Sequence, residues 1–313
     1  MKPVSQEDTM TIVKIPTGSS FKSVAAMLEK RGFIRSKDGF YILAWYKKML
    51  TAVKAGEYYL SPAMTPEQVL EVIVSGRPIE YQITIPEGYN IFQIASLLKQ
   101  SKLIETKEEF LSAARDKSLL EKAHIPGDSA EGYLFPDSYL IPRGYGPRDI
   151  TWLMIDRFYE VWRTHSFQKR VEEMNTTRHE VVILASIVEE EAMREEERPI
   201  IASVFWNRLK KHMPLQADPT VRYGIMVEQQ IRKRRLRWKD LRRSTPYNTY
   251  TIPGLPKGPI SNPGLESIKA VLYPAKTNYL YFVSRNNGTH KFSTTLKEHN
   301  RAVELYQKHR RRR

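Results

Sequence analysis

Apolar and polar positions follow one pattern twice in the first half of the chain. Ile12-Val13-Lys14-Ile15 reads as a short strand and Pro16-Thr17-Gly18 as a turn, after which Ala25, Leu28 and Ile34 mark the buried side of an amphipathic helix. Seventy positions later the order returns: the strand Tyr81-Gln82-Ile83-Thr84-Ile85, the turn Pro86-Glu87-Gly88, then Ala95, Leu98 and Ile104. A weaker echo joins Glu57-Tyr58-Tyr59-Leu60-Ser61-Pro62 to Asp137-Ser138-Tyr139-Leu140-Ile141-Pro142 at an offset of 80. A shared offset at several anchors indicates duplication of a strand–turn–helix module. Residues 10–80 are read as one small α+β module and 81–142 as its diverged copy.

Beyond residue 147 the period becomes helical. ITWLMIDRFYEVW is followed by RHEVVILASIVEEEA, whose start carries a capping box, Thr177-x-x-Glu180. Val181 to Val188 is almost wholly apolar, so this helix should be buried on most faces. A third helix begins near Pro199, and turn-rich sequence follows Leu209. LYFVS and HKFS flank Asn286-Asn287-Gly288 as a hairpin, and a charged helix starts near Thr295. The fold class is α+β, a duplicated strand–helix part leading into a mainly helical domain with a small sheet. Residues 1–9 are a leader remnant, 81–313 the second domain with its core at 143–305, and 306–313 a basic tail.

The 313 residues, 41% of them hydrophobic, suffice for a sizeable core. There is no cysteine, which excludes disulfides, thiolate metal sites and a cysteine nucleophile. No apolar run approaches about 18 residues, so neither a signal peptide nor a membrane span is expected. The net charge of +15 is concentrated: residues 232–243 hold eight basic side chains and one acid, and the tail KHRRRR holds five basic ones. These two stretches supply +12 of the total, which argues for a local cationic segment and against a nucleic-acid surface.

Candidate chemistry is sparse. Glu189, Glu190 and Glu191 close the buried helix, and since successive residues point about 100° apart, at most one faces a given pocket. Glu189 lies one turn beyond the small residues Ala185 and Ser186, a face that could admit a ligand. A carboxyl at the edge of an apolar core suits a proton donor, although solvating the helix end is the commoner role for all three. Asp218, near Gln216 and Tyr223, is the obvious second carboxylate for a glycosidase, or a turn cap beside Pro219. The loops Tyr247-Asn248-Thr249-Tyr250 and 254–260 mix aromatic and amide groups, as a saccharide groove does. The seven histidines show no zinc spacing, and neither a phosphate loop nor Gly-x-Ser-x-Gly occurs. No metal or cofactor is implied.

Taken in order, Glu131-Gly-Tyr-Leu-Phe-Pro-Asp137, Leu184-Ala-Ser-Ile-Val-Glu189, Val204-Phe-Trp-Asn-Arg-Leu209, Met213-Pro-Leu-Gln-Ala-Asp218-Pro-Thr-Val221, Tyr247-Asn-Thr-Tyr250 and Gly254-Leu-Pro-Lys-Gly-Pro-Ile260 resemble the MltG (YceG-like) family of endolytic murein transglycosylases. The likeness spans residues 10–305. It implies LysM-like wall-binding modules at the N-terminus and a catalytic glutamate at Glu189, acting first as acid and then as base. Asn207, Gln216, Asp218, Tyr247, Asn248 and Tyr250 would bind substrate. It further implies peptidoglycan strands as substrate, with peptidoglycan synthases as partners. The family setting it implies is a single-pass inner-membrane anchor, absent from this chain, that holds the domain in the periplasm or otherwise outside the membrane. A muramidase using Glu189 and Asp218, a wall-binding protein without activity and a nucleic-acid binder acting through 232–243 are the competing readings. The basic segment and the Arg310–Arg313 tail depart from the family pattern.

Overall fold

The computed structural model describes residues 2–16, 18–75, 78–142, 144–231 and 233–308. Thr17 of the first turn, Arg232 of the basic segment and Arg310–Arg313 of the tail lie outside the described residues. The order is β1 (Thr11–Ile15), α1 (Phe21–Lys30), α2 (Lys37–Tyr46), β2 (Gly56–Leu60), α3 (Pro66–Ser75), β3 (Glu80–Thr84), α4 (Ile91–Gln100), α5 (Lys107–Ala113), α6 (Lys117–Lys122) and β4 (Ser138–Pro142). There follow α7 (Pro147–Thr164), α8 (Phe167–Glu173), α9 (Arg178–Glu191), α10 (Arg198–Lys210), α11 (Asp218–Gln229), α12 (Trp238–Leu241), α13 (Leu265–Leu272), β5 (Tyr281–Ser284), β6 (His290–Ser293) and α14 (Leu296–Val303). The chain is α+β, helix-rich with small antiparallel sheets, and it divides into two compact units.

One unit comprises residues 1–84, 96–110 and 138–150. Its β1 alternates as the sequence does, burying Val13 and Ile15 while Ile12 and Lys14 face out, and it pairs antiparallel with β2 from Thr11↔Leu60 to Ile15↔Gly56. Helix α1 starts at Ser20, whose hydroxyl accepts from the Ser23 amide, and buries Phe21, Val24, Ala25 and Leu28 against that sheet's apolar side. β3 pairs with β4 from Glu80↔Pro142 to Thr84↔Ser138. In chain order, α1 and α2 fall between the strands of the first ribbon and α4 to α6 between those of the second.

The other unit comprises residues 85–95, 111–137 and 151–313. At its centre is α9, with every residue from Val181 to Val188 buried. The capping box is formed: the Glu180 amide donates to the Thr177 hydroxyl at 3.2 Å, and the Thr177 amide donates to the Glu180 carboxylate at 2.8 Å. Helices α8, α10, α11 and α13 pack around α9, which is why its apolar residues cover most of its circumference. Gly224 lets α11 lie close to the loop that follows α12, since a Cβ there would stand 2.6 Å from the Thr245 hydroxyl. Asn286 and Gly288 take positive φ in the β5–β6 turn, as the hairpin signal requires.

Candidate active site

The three glutamates at the end of α9 sit in different surroundings. Glu189 has a partner on each oxygen: Oε1 lies 3.2 Å from the Arg198 guanidinium, and Oε2 accepts the Gly264 amide at 3.0 Å. Its side chain is only 7% exposed. Arg198 also stands 3.8 Å from Glu87 and 3.9 Å from Glu195, so it gathers acids from three segments. Burial raises the Glu87 carboxyl, Glu189 adds to the rise, and Arg198 opposes it. This cluster ties the 86–88 turn, α9, α10 and the start of α13 together.

Glu191 is different in kind. It forms no hydrogen bond or ion pair among the described residues, and part of its surface is open to solvent. Burial pushes its carboxyl from 4.5 up to about 7, the Asp218 charge pushes the same way, and Arg222 pulls against both. A carboxyl near 7 with unengaged oxygens is suited to giving a proton and taking one back near neutral pH. Asp218, the first residue of α11, accepts a hydrogen bond from the Tyr250 hydroxyl at 2.8 Å and lies 3.8 Å from Arg222. Burial and the Asp218 charge raise the Tyr250 phenol well above its ordinary value, so it stays a donor. Glu191, Asp218, Arg222 and Tyr250 thus form one electrostatically coupled group.

Glu190 is exposed and lines a cleft of roughly 300 Å³ with Asn90, Gln93, Arg222, Tyr223 and Ile260. Behind that wall lies Glu131, almost fully buried. It receives the Ile91 amide at 3.1 Å, the Tyr223 hydroxyl at 2.8 Å and the Asn262 amide group at 2.9 Å. Burial nevertheless raises its carboxyl to about 8 against those donors. Asn262 also donates to Tyr89 and accepts from Leu134, so one buried network fixes α4, the 131–134 turn, α11 and the 259–264 loop around the cleft.

Two expectations from the sequence need correcting. Ala185 and Ser186 do not admit a ligand: Ser186 is fully buried, and its hydroxyl accepts the Ile260 amide at 3.0 Å, so the 259–261 loop fills that face. Asn248 does not face a ligand either. It is fully buried, donates to the carbonyls of Leu241 and Arg243 and accepts the Tyr250 amide, bracing the loop that presents Tyr250. Asn207 spends both amide hydrogens on the carbonyls of Thr277 and Tyr279, which makes it a tie between α10 and the strand-bearing C-terminal part. Gln216 is exposed at positive φ and accepts from Arg208 at 3.3 Å. Tyr247 packs edge-on against Tyr223 at 4.9 Å, and burial raises its phenol to about 12.

Neither the Arg198–Glu87–Glu189 cluster nor the Glu131–Asn262–Tyr223 network is legible in the sequence, because the members of each are scattered along the chain and meet only in space. Among the described residues no group of three His, Asp or Glu side chains is placed to hold a metal ion, and no helix is long and apolar enough to cross a membrane.

The sequence model of the YceG-like family matches residues 13–305. The chain is 35% identical to an endolytic murein transglycosylase of Bacillus subtilis (strain 168), over 98% of this chain and 88% of that protein. It is 31% identical to an endolytic murein transglycosylase of Streptococcus pneumoniae (strain ATCC BAA-255 / R6), over 93% of this chain and 57% of that one. Its fold is similar to the crystal structure of a putative YceG-like protein from Listeria monocytogenes, with a TM-score of 0.65 and 32% identity, covering 95% of this chain and all of the other.

Proposed function

The chain belongs to the YceG-like family, and from that premise we propose that it is an endolytic murein transglycosylase whose proton-transfer group is Glu191. The observation that carries the assignment of the acid is the contrast at the end of α9. Glu189, the residue the family resemblance implies, has both oxygens engaged, whereas Glu191 has no partner among the described residues, is partly open to solvent and is raised to about 7. Two residues apart on one helix, they project about 200° apart and so face different surroundings.

The reaction follows from one carboxyl acting twice. Protonated Glu191 gives its proton to the oxygen of the muramyl–glucosaminyl bond as that bond breaks. The carboxylate left behind takes the proton of the muramic acid C6 hydroxyl while O6 bonds to C1, closing a 1,6-anhydro ring and restoring the acid. Asp218, oriented by Tyr250, supplies negative charge for the cationic sugar that develops between the two steps. No cofactor takes part in this sequence.

Asp218 also supports a second reading. A carboxylate whose charge is felt by the acid is what a water-activating glycosidase needs. Product chemistry separates the two. Digested sacculi should give muramyl ends lighter by one water and inert to borohydride; reducing ends of full mass from the unaltered protein would establish hydrolysis and reject the anhydro mechanism.

The same reading takes β1–α1–α2–β2 and β3–α4–α5–α6–β4 as duplicated LysM-like modules, supported by their matching order and their sequence offset. It places the protein on the outer side of the cytoplasmic membrane, beside the synthases that make its substrate.

A further inference from the structure

The cleft beside Glu190 has a strongly cationic wall. Lys233 and Arg234 line it, and Arg235, Arg237, Lys239 and Arg242 continue the exposed positive surface along the same segment. Little of this charge is balanced within the fold. Lys233 is held by Asp240 at 2.6 Å and Arg243 by Glu228 at 2.9 Å, but Arg234, Arg235, Arg237 and Arg242 form no ion pair among the described residues. Asp240 is the segment's one acid and is already engaged. Between Arg237 and Lys239, Trp238 is 78% exposed, an apolar face set among cations.

Such a surface favours a ligand with several anionic groups, because guanidinium groups match carboxylates in a two-pronged geometry and like charges this dense repel one another until neutralised. Its position says which ligand. The cleft it borders is also lined by Pro219 and Arg222 of α11, the helix that carries Asp218 next to Glu191. A strand lying there and running along α11 toward Asp218 and Glu191 would present its substituents to the segment. The sugar backbone of murein is neutral and gains nothing from these cations, whereas the peptide stems on its muramic acid residues carry free carboxylates.

We propose that Arg234, Arg235, Arg237 and Arg242 form a subsite for peptide-stem carboxylates, so that the enzyme selects peptide-bearing strands over strands stripped of their stems. The inference rests on the murein-cleaving reading of the cleft beside Glu190. An anionic lipid surface is the competing partner, and the placement of Arg234 and Lys233 in the wall of the cleft itself favours the substrate.

The test compares the full chain with a combined Arg234→Gln, Arg235→Gln, Arg237→Gln and Arg242→Gln variant of matched melting temperature. Soluble strands from one preparation are used with their stems intact and after removal of the stems by an amidase. The unaltered protein should prefer intact strands by about tenfold in kcat/KM, chiefly through KM, with the preference shrinking as salt is raised. In the variant the ratio should fall to about one. Equal kcat/KM for the two substrates in the unaltered protein, or a preference that survives in the variant, overturns the proposal. Loss of binding to phosphatidylglycerol vesicles in a variant that keeps its preference overturns it too, in favour of the lipid surface. If neither substrate is cut, the murein-cleaving reading fails separately, and equal retention of intact and stripped strands in a binding assay then refutes the subsite as well.

Discussion

Replacing Glu191 by glutamine should remove activity and raise stability in the same protein. The native carboxyl is held at about 7 against an ordinary 4.5, so folding favours its protonated form. The stabilising contribution of that proton is complete below pH 4.5 and is lost as pH rises through 7, because the unfolded chain gives up the proton first. The loss amounts to at most about 3 kcal/mol, less where solvent reaches the group. Glutamine is neutral throughout and escapes it. Glu191→Gln should therefore melt like the unaltered protein at pH 4 and higher at pH 8, by about 5 °C for a unit of this size. Without a transferable proton, cleavage should fall at least about 100-fold. In the unaltered protein kcat/KM should decline above pH 7 as the acid ionises. Thermal melts at the two pH values, paired with release of soluble fragments from sacculi, check both halves. A variant that cuts normally, or whose melting advantage is the same at pH 4 and pH 8, would refute the reasoning.

Glu189→Gln should do the reverse, leaving Arg198 without its nearest counter-charge in a nearly buried position; we expect a loss of about 3 kcal/mol by denaturant titration with cleavage still measurable per folded molecule. Complete inactivity in a fully folded Glu189→Gln protein would return the catalytic role to that residue. Asn248→Ala strips donors from the carbonyls of Leu241 and Arg243 and should cost about 2 kcal/mol, detected as an earlier urea midpoint; an unchanged midpoint would mean the loop does not need the brace. Tyr223→Phe removes a donor from Glu131 and lifts that carboxyl further above 8, so its destabilisation should be larger at pH 9 than at pH 6. A penalty independent of pH would show that Glu131 does not titrate in this range.

The elements were largely readable because each rests on local chemistry. The Thr177–Glu180 box, the alternation in β1 and the Asn286–Gly288 turn depend on residues a few positions apart, and each forms as its pattern requires. The site was legible only as a neighbourhood. Asp218 and Tyr250 do meet near the end of α9, but the roles of Asn207 and Asn248 could not be read, since an amide that binds sugar and one that holds backbone carbonyls look alike in sequence. The compact units also cross the linear boundary drawn at residue 80, because β4 returns to pair with β3 after the chain has passed through α4 to α6.

Which glutamate matters is a question the sequence poses more sharply than spacing alone suggests. A helix C-terminus carries partial negative charge, and α9 ends on three consecutive acids with no basic residue in its last turn. That arrangement opposes both the helix dipole and the mutual repulsion of the acids, so a fold that keeps it must relieve or exploit each one. Glu190 is exposed, and Glu189 is relieved by Arg198 and the Gly264 amide. Glu191 receives no donor among the described residues and is only partly hydrated, and it feels the further carboxylate of Asp218. Its remaining way to lower the energy is to hold a proton near neutral pH, and a carboxylic acid that keeps its proton there is what cleavage of a glycosidic bond requires.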